Sequence, residues 1–334
     1  MTQQGHHHEL VADTPVGGRY RVRRVIGRWK VGTAYDVSAS DREGVLTLLA
    51  MDLAPGQTAR YLRWIQREAE RNQALPADLL VPLHGGHIAG EAVYMVLGPF
   101  RGRSLTQVIK SDGVFSERRV AEIGHRAAHL LAAAHAQGVF LGSLRPTTLL
   151  LDPLGDDPDR PVIFDLGLAR GLSELLIASP RGARAYYAPD RPRDARPTAA
   201  DDQFALGALL YHLLTSETPP RIDAEGVKVI TPPSWKRADA ELAAYLDPVV
   251  LRAMAPRARD RYPGTAPLGD ALAALAEVFG LSPAAREMLG LPSRDAGFRR
   301  EPTNPHLLHD YLGVPAEVAG GDPLPMLDID PDED

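Results

Sequence analysis

Apolar positions along this chain fall into short runs and helical stripes, punctuated by Gly, Pro and Asp. Leu149-Leu150-Leu151 and Val162-Ile163-Phe164 enclose a polar turn, the pattern of a strand hairpin. From Arg19, RYRVRRVIGRWKVGTAYDVSA alternates around a glycine turn and predicts a second strand pair. Val45 to Met51 and Ala92 to Leu97 read as further strands. Gln57 to Leu75 reads as a helix on which Tyr61, Ile65 and Glu68 share one face. Ser116 to Gln137 is a second helix: Ser116 suits an N-cap, and Val120, Ile123, Ala127, Leu130 and Ala134 form its apolar stripe. Phe204 to Leu214 is the most continuous apolar stretch, too short to span a bilayer and interrupted by His212. Near the C-terminus, Ser282-Pro283 and Asn304-Pro305 each place an N-cap before a proline at the first helical position. The second of these opens a short apolar helix, His306 to Leu312, that stops at Gly313.

Composition narrows the setting. The 334 residues are 44% hydrophobic and 24% charged, as in soluble globular proteins. The absence of cysteine excludes disulfides and thiolate metal sites. The first residues, MTQQGHHHELVADTP, lack the apolar core of a signal peptide, and the expectation is a cytoplasmic protein with no membrane contact. Residues 1 to 16 are expected to be disordered, with His6-His7-His8 a solvated run and not a metal site. The formal net charge is -6, and Gly321 to Asp334 holds Asp322, Asp328, Asp330, Asp332, Glu333 and Asp334 with no Lys or Arg. The remainder is therefore close to neutral, which argues against nucleic-acid binding through a globally basic surface.

The order of several segments adds a sharper expectation. Ile26-Gly27-Arg28-Trp29-Lys30-Val31-Gly32 resembles a phosphate-covering glycine loop, with Trp29 where a second glycine would let backbone approach a phosphate. Gly98-Pro99-Phe100 follows the Ala92 to Leu97 strand as a hinge would, with Leu97 as gatekeeper. Leu141-Gly142-Ser143-Leu144-Arg145-Pro146-Thr147-Thr148 precedes the Leu149 hairpin in the manner of a catalytic loop, and Asp165-Leu166-Gly167 follows the hairpin in the manner of a magnesium-binding turn. Ala188-Pro189-Asp190, Asp202-Gln203-Phe204-Ala205-Leu206-Gly207 and Arg259-Asp260-Arg261-Tyr262-Pro263 then stand in the expected sequence. From Arg19 to Phe279 the chain resembles the bacterial eukaryotic-type (Hanks-type) serine/threonine protein kinases, and it looks like a degenerate member.

That resemblance implies an α+β, bilobal fold, with a small β-rich N-lobe over about 17–97 and a larger, mainly helical C-lobe over about 101–279. It divides the chain into a disordered 1–16, a kinase-like domain at 17–279, a helical appendage at 280–314 and an acidic disordered tail at 315–334. It implies that Gly27, Lys30 and Gly32 would face the phosphates of a nucleotide, and that the backbone of Gly98 and Phe100 would face its adenine. Asp165 would be the one remaining metal ligand. Glu68, Asp190, Asp202 and Arg261 would be structural, Asp202 holding the catalytic-loop backbone and Arg261 pairing with Asp190.

Against the family pattern the chemistry is depleted. Ser143 stands at the position of the catalytic base, Arg145 at that of the loop Lys and Thr148 at that of the metal-binding Asn. No lysine lies between Lys30 and Lys110, so the strand position of the phosphate Lys, read as Leu49, is apolar. Gly142 stands where the family carries an Arg that clamps a phosphorylated activation segment. Phosphoryl transfer depends on positioning and charge stabilisation by these groups. The expectation is a pseudokinase that regulates or scaffolds protein partners in signalling. An atypical ATP-using kinase or nucleotidyl transferase and a non-catalytic nucleotide sensor are the alternatives, with ATP and weakly held Mg2+ the cofactors these would require.

Overall fold

The computed structural model describes residues 10–29, 32–39, 42–51, 56, 58–73, 81, 83–89, 92–98, 102–142, 144–153, 157–163, 183–192, 195–220, 230–236, 243–280, 285 and 288. The alternating N-terminal segments build one antiparallel sheet. Its strands are β1 (Pro15–Val16), β2 (Tyr20–Trp29), β3 (Gly32–Ala39), β4 (Arg42–Met51), β5 (Leu83–Ala89) and β6 (Ala92–Leu97), in the order β1-β2-β3-β4-β6-β5. Helix α1 (Thr58–Gln73) covers one face, where Tyr61, Trp64, Ile65 and Ala69 pack with Ala34, Val93, Met95 and Leu97.

The opposite face carries a cluster of Val16, Tyr20, Val22, Tyr35, Val37, Tyr94 and Val96. Here the expectation of a disordered residue 1–16 segment is corrected for its second half. Pro15 and Val16 pair with Arg21 and Tyr20, and Leu10 packs on the cluster while its N–H donates to the Tyr35 hydroxyl at 3.2 Å. Without these residues one face of the β2–β3 pair would leave Tyr20, Tyr35 and Val37 open to water, so hydrophobic burial orders a segment whose own composition does not. Residues 1–9, including the histidine run, lie outside the described residues.

The second body is mainly helical: α2 (Leu105–Asp112), α3 (Glu117–Ala136), α4 (Ala199–Thr215), α5 (Ala243–Ala253) and α6 (Thr265–Gly280). Ser104 caps α2 reciprocally, accepting from Gln107 N–H and donating its own N–H to the Gln107 side chain at 2.9 Å. Ser116 caps α3, accepting from Arg119 N–H. Helix α4 is buried on all sides from Asp201 to Tyr211, as an all-round apolar helix must be. Around it pack α3, α5 and α6.

The apolar face of α3 is rotated slightly from the expected stripe. Leu131 is fully buried and Leu130 only partly so. The reason is that α3 packs against both α4 and α6, which widens its buried face to include Ala121, Gly124, Ala128 and Leu131. Gly124 permits that approach, since a Cβ there would meet Leu210 Cδ2 at 2.8 Å and Leu272 Cδ1 at 2.9 Å.

Two-residue β7 (Arg103–Ser104) joins the hairpin of β8 (Leu149–Leu151) and β9 (Pro161–Ile163) in a small antiparallel sheet. The hairpin pairs Leu149 with Ile163 and Leu150 with Val162, as the two apolar runs predict. Leu150 and Val162 point into the N-lobe core, and Leu149 and Ile163 into the C-lobe core. The hairpin therefore joins the two apolar interiors. No helix among the described residues is long and apolar enough to cross a membrane. The segment after residue 280, apart from Ala285 and Met288, lies outside the described residues, as do both expectations for it.

One buried carboxylate on α5 gives this fold a pH signature. Asp247 is 9% exposed, and its burial pushes its carboxyl up to about 6 despite hydrogen bonds from the Ser234 N–H and hydroxyl. A carboxyl raised from 3.8 to about 6 makes the folded state bind a proton more tightly than the unfolded state. The penalty is absent below about pH 4, grows as pH rises, and is complete above about pH 6, at up to about 3 kcal/mol. Asp247→Asn should therefore be more stable than the parent by about 1–3 kcal/mol at pH 7.5, with the difference vanishing near pH 4. Urea unfolding of the two proteins at both pH values checks this.

Candidate nucleotide site and catalytic loop

The loop from Leu141 to Thr148 hangs between α3 and β8, and Asp202 on α4 fixes its entry. Asp202 is fully buried and accepts from Leu141 N–H at 2.8 Å and Gly142 N–H at 2.6 Å. His135, at the last turn of α3, places Nε2 2.9 Å from the same carboxylate and Nδ1 3.2 Å from the Thr265 hydroxyl of α6. A buried carboxylate with several donors is well satisfied. Leu141 and Leu144 turn into the C-lobe core.

Two features of this loop were not legible from the motifs. Gly142 has φ +63°, and a Cβ there would lie 2.5 Å from Pro197 Cβ and 2.8 Å from Arg191 Nη1. Arg191 donates from Nη1 to the Gly142 carbonyl and from Nη2 to the Ala195 carbonyl, both at 3.2 Å. The chain just past Ala188-Pro189-Asp190 is thereby fastened to the loop at the very residue where the family Arg is missing. There a guanidinium from outside the loop binds its backbone oxygen.

At the loop's end, Thr148 is 3% exposed and folded back on its own turn. Its hydroxyl accepts from Arg145 N–H at 3.0 Å and lies 3.1 Å from the Arg145 carbonyl, to which it donates. Thr148 N–H also donates to that carbonyl at 2.9 Å. Arg145 Nε donates to the Thr147 hydroxyl at 2.8 Å. The side chain at the position of the metal-binding Asn is thus committed to holding the turn. Among the described residues no group of three His, Asp or Glu side chains is placed to hold a metal. Held in this turn, the Thr148 hydroxyl does not fit the role of a second metal ligand, and Asp165, the expected first one, lies outside the described residues.

The structural pairs lie where the motifs place them. Arg261 is buried and donates from Nη2 to Asp190 Oδ1 at 2.6 Å and to the Pro256 carbonyl at 3.0 Å, while Nη1 and Nε donate to the Ala200 and Ala255 carbonyls. Asp190 Oδ2 also accepts from Ala258 N–H at 2.6 Å. A 3-10 turn at Ala183–Tyr186 leads into this segment, and the buried Tyr186 hydroxyl sits 2.6 Å from His212 Nδ1 on α4. Burial lowers the His212 pKa and raises that of Tyr186, so the neutral ring accepts and the phenol donates. Gly207, on α4, allows α5 to approach: a Cβ there would meet Ala253 Cβ at 2.8 Å.

In the N-lobe, Gly27 pairs with Ala34 and Gly32 with Trp29 across the β2–β3 turn. The Leu49 backbone lies mid-sheet, opposite Ala34 on one side and Met95 on the other. Glu68 is 9% exposed on the same helical face as Tyr61 and Ile65. Strand β6 ends at the buried Leu97, and Gly98 follows, also buried. Lys30, Phe100, Ser143 and Asp165 lie outside the described residues.

A network of ion pairs steadies the hairpin on its outer side. Arg119 on α3 binds Asp159 through Nε at 2.7 Å and Nη2 at 2.8 Å, and reaches Asp112 at 2.9 Å. Hydrogen bonding to Asp159 raises the Arg119 pKa, and bonds from Ser111 and Arg119 lower that of Asp112. Arg126 binds Asp157 at 2.6 Å, and Arg160 binds Asp152 at 2.6 Å.

Comparison with known proteins agrees with this architecture. The profile described as "Protein kinase domain" matches residues 20–233. Among curated relatives, the serine/threonine-protein kinase pkn3 of Myxococcus xanthus is 26% identical over 270 residues, covering 76% of this chain and 49% of that protein. PknE of Mycobacterium tuberculosis is 28% identical over 255 residues, covering 73% of this chain and 44% of that protein. PrkC of Bacillus subtilis is 26% identical over 259 residues, covering 74% and 39% respectively. The chain thus spans less than half the length of these relatives. The crystal structure of the Mycobacterium tuberculosis PknI kinase domain superposes with a TM-score of 0.61 at 24% identity, covering 80% of this chain and 99% of that one, and shares the bilobal fold. This chain belongs to the protein kinase family, in the eukaryotic-like group to which the bacterial serine/threonine kinases belong.

Proposed function

We propose that this chain is a pseudokinase, a kinase fold that regulates or scaffolds protein partners in signalling and carries out little or no phosphotransfer. The observation that carries this reading is Thr148. Its hydroxyl is buried and engaged with both the N–H and the carbonyl of Arg145, at the position where the family places a metal ligand. Three sequence features support it: Ser143 at the base position, Leu49 at the phosphate-Lys position, and no Asp between Asp112 and Asp152. A positioned acid–base group contributes about 10²–10⁴-fold to rate, and a Ser supplies none of it as a carboxylate. The structural positions, by contrast, are filled and engaged: Asp190 with Arg261, and Asp202 with the loop backbone.

A second reading is kept for the hinge. Strand β6 delivers Gly98 to the end of the sheet beside the buried Leu97, where backbone groups alone could hold an adenine without any phosphate site. Melting curves with ATP, with and without MgCl₂, separate the possibilities when Asp165→Ala is run alongside and labelled phosphate transfer is followed. A native-state ligand raises stability by an amount set by its concentration relative to Kd. The expected result is no product and no Mg2+-dependent shift. A small shift independent of both Mg2+ and Asp165 indicates the adenine slot alone. Turnover that disappears in Asp165→Ala would refute the pseudokinase assignment.

A further inference from the structure

Arginines are treated differently on two sides of the C-lobe. On the α3 side, Arg119, Arg126 and Arg160 are each matched by aspartates within 2.9 Å. Around the 3-10 turn at Ala183–Tyr186 and the chain that follows it, Arg261 is matched by Asp190 at 2.6 Å, but its neighbours are not so matched among the described residues. Among the described residues, Arg184, Arg196 and Arg257 are exposed and make no ion pair, and Arg259, with 73% of its side chain exposed, has only a 3.7 Å contact with its neighbour Asp260.

Local hydrogen bonds gather these residues into one region. Ala258 N–H donates to Asp190, which brings Arg257 and Arg259 beside Arg191. Arg191 in turn holds the Ala195 carbonyl, next to Arg196. Tyr187 N–H bonds the Arg184 carbonyl and Arg191 N–H the Ala188 carbonyl, coiling 184–191 into consecutive turns. Asp190 and Asp260 are the described acids of these two segments, and Asp190 is already committed to Arg261.

We propose that Arg184, Arg196, Arg257 and Arg259 form a docking surface for an acidic peptide, and that its occupant in this chain is the chain's own residues 322–334. Charge complementarity favours this occupant: the segment holds six acids and no Lys or Arg, in a chain otherwise close to neutral. Reach permits it. The surface adjoins the start of α6, whose 16 residues extend about 24 Å. About 40 residues separate Gly280 from Asp322, and even a fully helical chain of that length would reach about 60 Å. A tether long enough for the span gives the tail a high effective concentration at the surface. The tail would then cover the end of the activation segment until an acidic partner displaced it. This inference is independent of whether the chain transfers phosphate.

The test uses a fluorescein-labelled peptide of residues 319–334, titrated by anisotropy into the full chain and into a chain ending at Gly321. The peptide should bind the shortened chain at least about tenfold more tightly than the full chain, because the tail already occupies the surface in the latter. Raising NaCl from about 0.05 to about 0.5 M should abolish binding to the shortened chain. Arg184→Glu/Arg196→Glu/Arg257→Glu should weaken binding at least about tenfold while leaving the melting temperature unchanged, since exposed unpaired side chains contribute little to stability. Equal affinity for the full and shortened chains, or binding indifferent to the three arginines, would overturn the proposal. So would failure of the peptide to bind while the shortened chain sediments with vesicles of about 30% phosphatidylserine, which would assign the surface to a lipid.

Discussion

Asp202→Ala should lower the unfolding free energy by about 4 kcal/mol, the largest effect expected of any single polar substitution in the C-lobe. Its carboxylate is fully buried, and removing it leaves Leu141 N–H, Gly142 N–H and His135 without their acceptor. Each buried donor left unpaired costs about 1–3 kcal/mol. Asp202→Asn distinguishes the loss of charge from the loss of shape. Its amide can accept one backbone N–H but must turn an NH₂ toward the other, so about half of the loss should remain. Equilibrium urea unfolding measures both variants. A loss below about 1 kcal/mol for the alanine variant would mean that the loop entry is held by something other than this carboxylate.

Gly142→Ala should cost about 2–5 kcal/mol, although alanine adds one methyl group. Left-handed backbone at φ +63° costs an L-residue about 1–2 kcal/mol. The new Cβ would also overlap Pro197 Cβ at 2.5 Å and Arg191 Nη1 at 2.8 Å, and relieving that contact costs about 1–3 kcal/mol more. Gly138 provides the internal control: its φ is +70°, but nothing lies within 4 Å of where its Cβ would be. Gly138→Ala should show only the backbone term, so the difference between the two variants isolates the Arg191–Pro197 contact. Equal losses would show that the contact carries no energy. The same geometry predicts that reinstating an arginine at position 142 expels Arg191 from its two carbonyls and does not restore a phosphate clamp.

The architecture was legible because its signals are local and ordered. Leu149-Leu150-Leu151 against Val162-Ile163, the helix capped by Ser116, and the Asp202, Asp190 and Arg261 positions all read from short windows. In the structure Leu149 pairs with Ile163, Ser116 caps α3, Asp202 accepts from Leu141 N–H and Asp190 accepts from Arg261. Depletion of the loop was legible as well, because a missing Asp or Asn needs no geometry to detect. What escaped the sequence are contacts made across long separations. Leu10 to Val16 falls in the segment expected to be disordered, and the open face of Tyr20, Tyr35 and Val37 draws it in. The choice of Leu131 over Leu130 depends on α3 having two neighbours, which a stripe of apolar residues does not reveal. Arg191 looks like one arginine in an arginine-rich stretch until the carbonyls of Gly142 and Ala195 are seen within its reach. The inward turn of Thr148 likewise follows from the fold of its own loop, since a threonine at that position could equally have faced the cleft.

The ion pairs of Arg119, Arg126 and Arg160 along the hairpin, together with Asp202 at the other end, fasten the 141–163 stretch at both extremities by contacts internal to the chain. A segment already held in one shape loses little entropy when something binds to it, so a partner that recognises this stretch meets a preorganised surface and keeps most of its binding free energy. The corollary is a narrow switching range. A ligand shifts an equilibrium between two shapes only through a difference in affinity for them, and any second shape of this stretch must first give up the bonds of Asp202, Arg119, Arg126 and Arg160. On the proposed function, a partner bound to this stretch is expected to act through occupancy, by which surface it covers, and not by changing the shape of the loop.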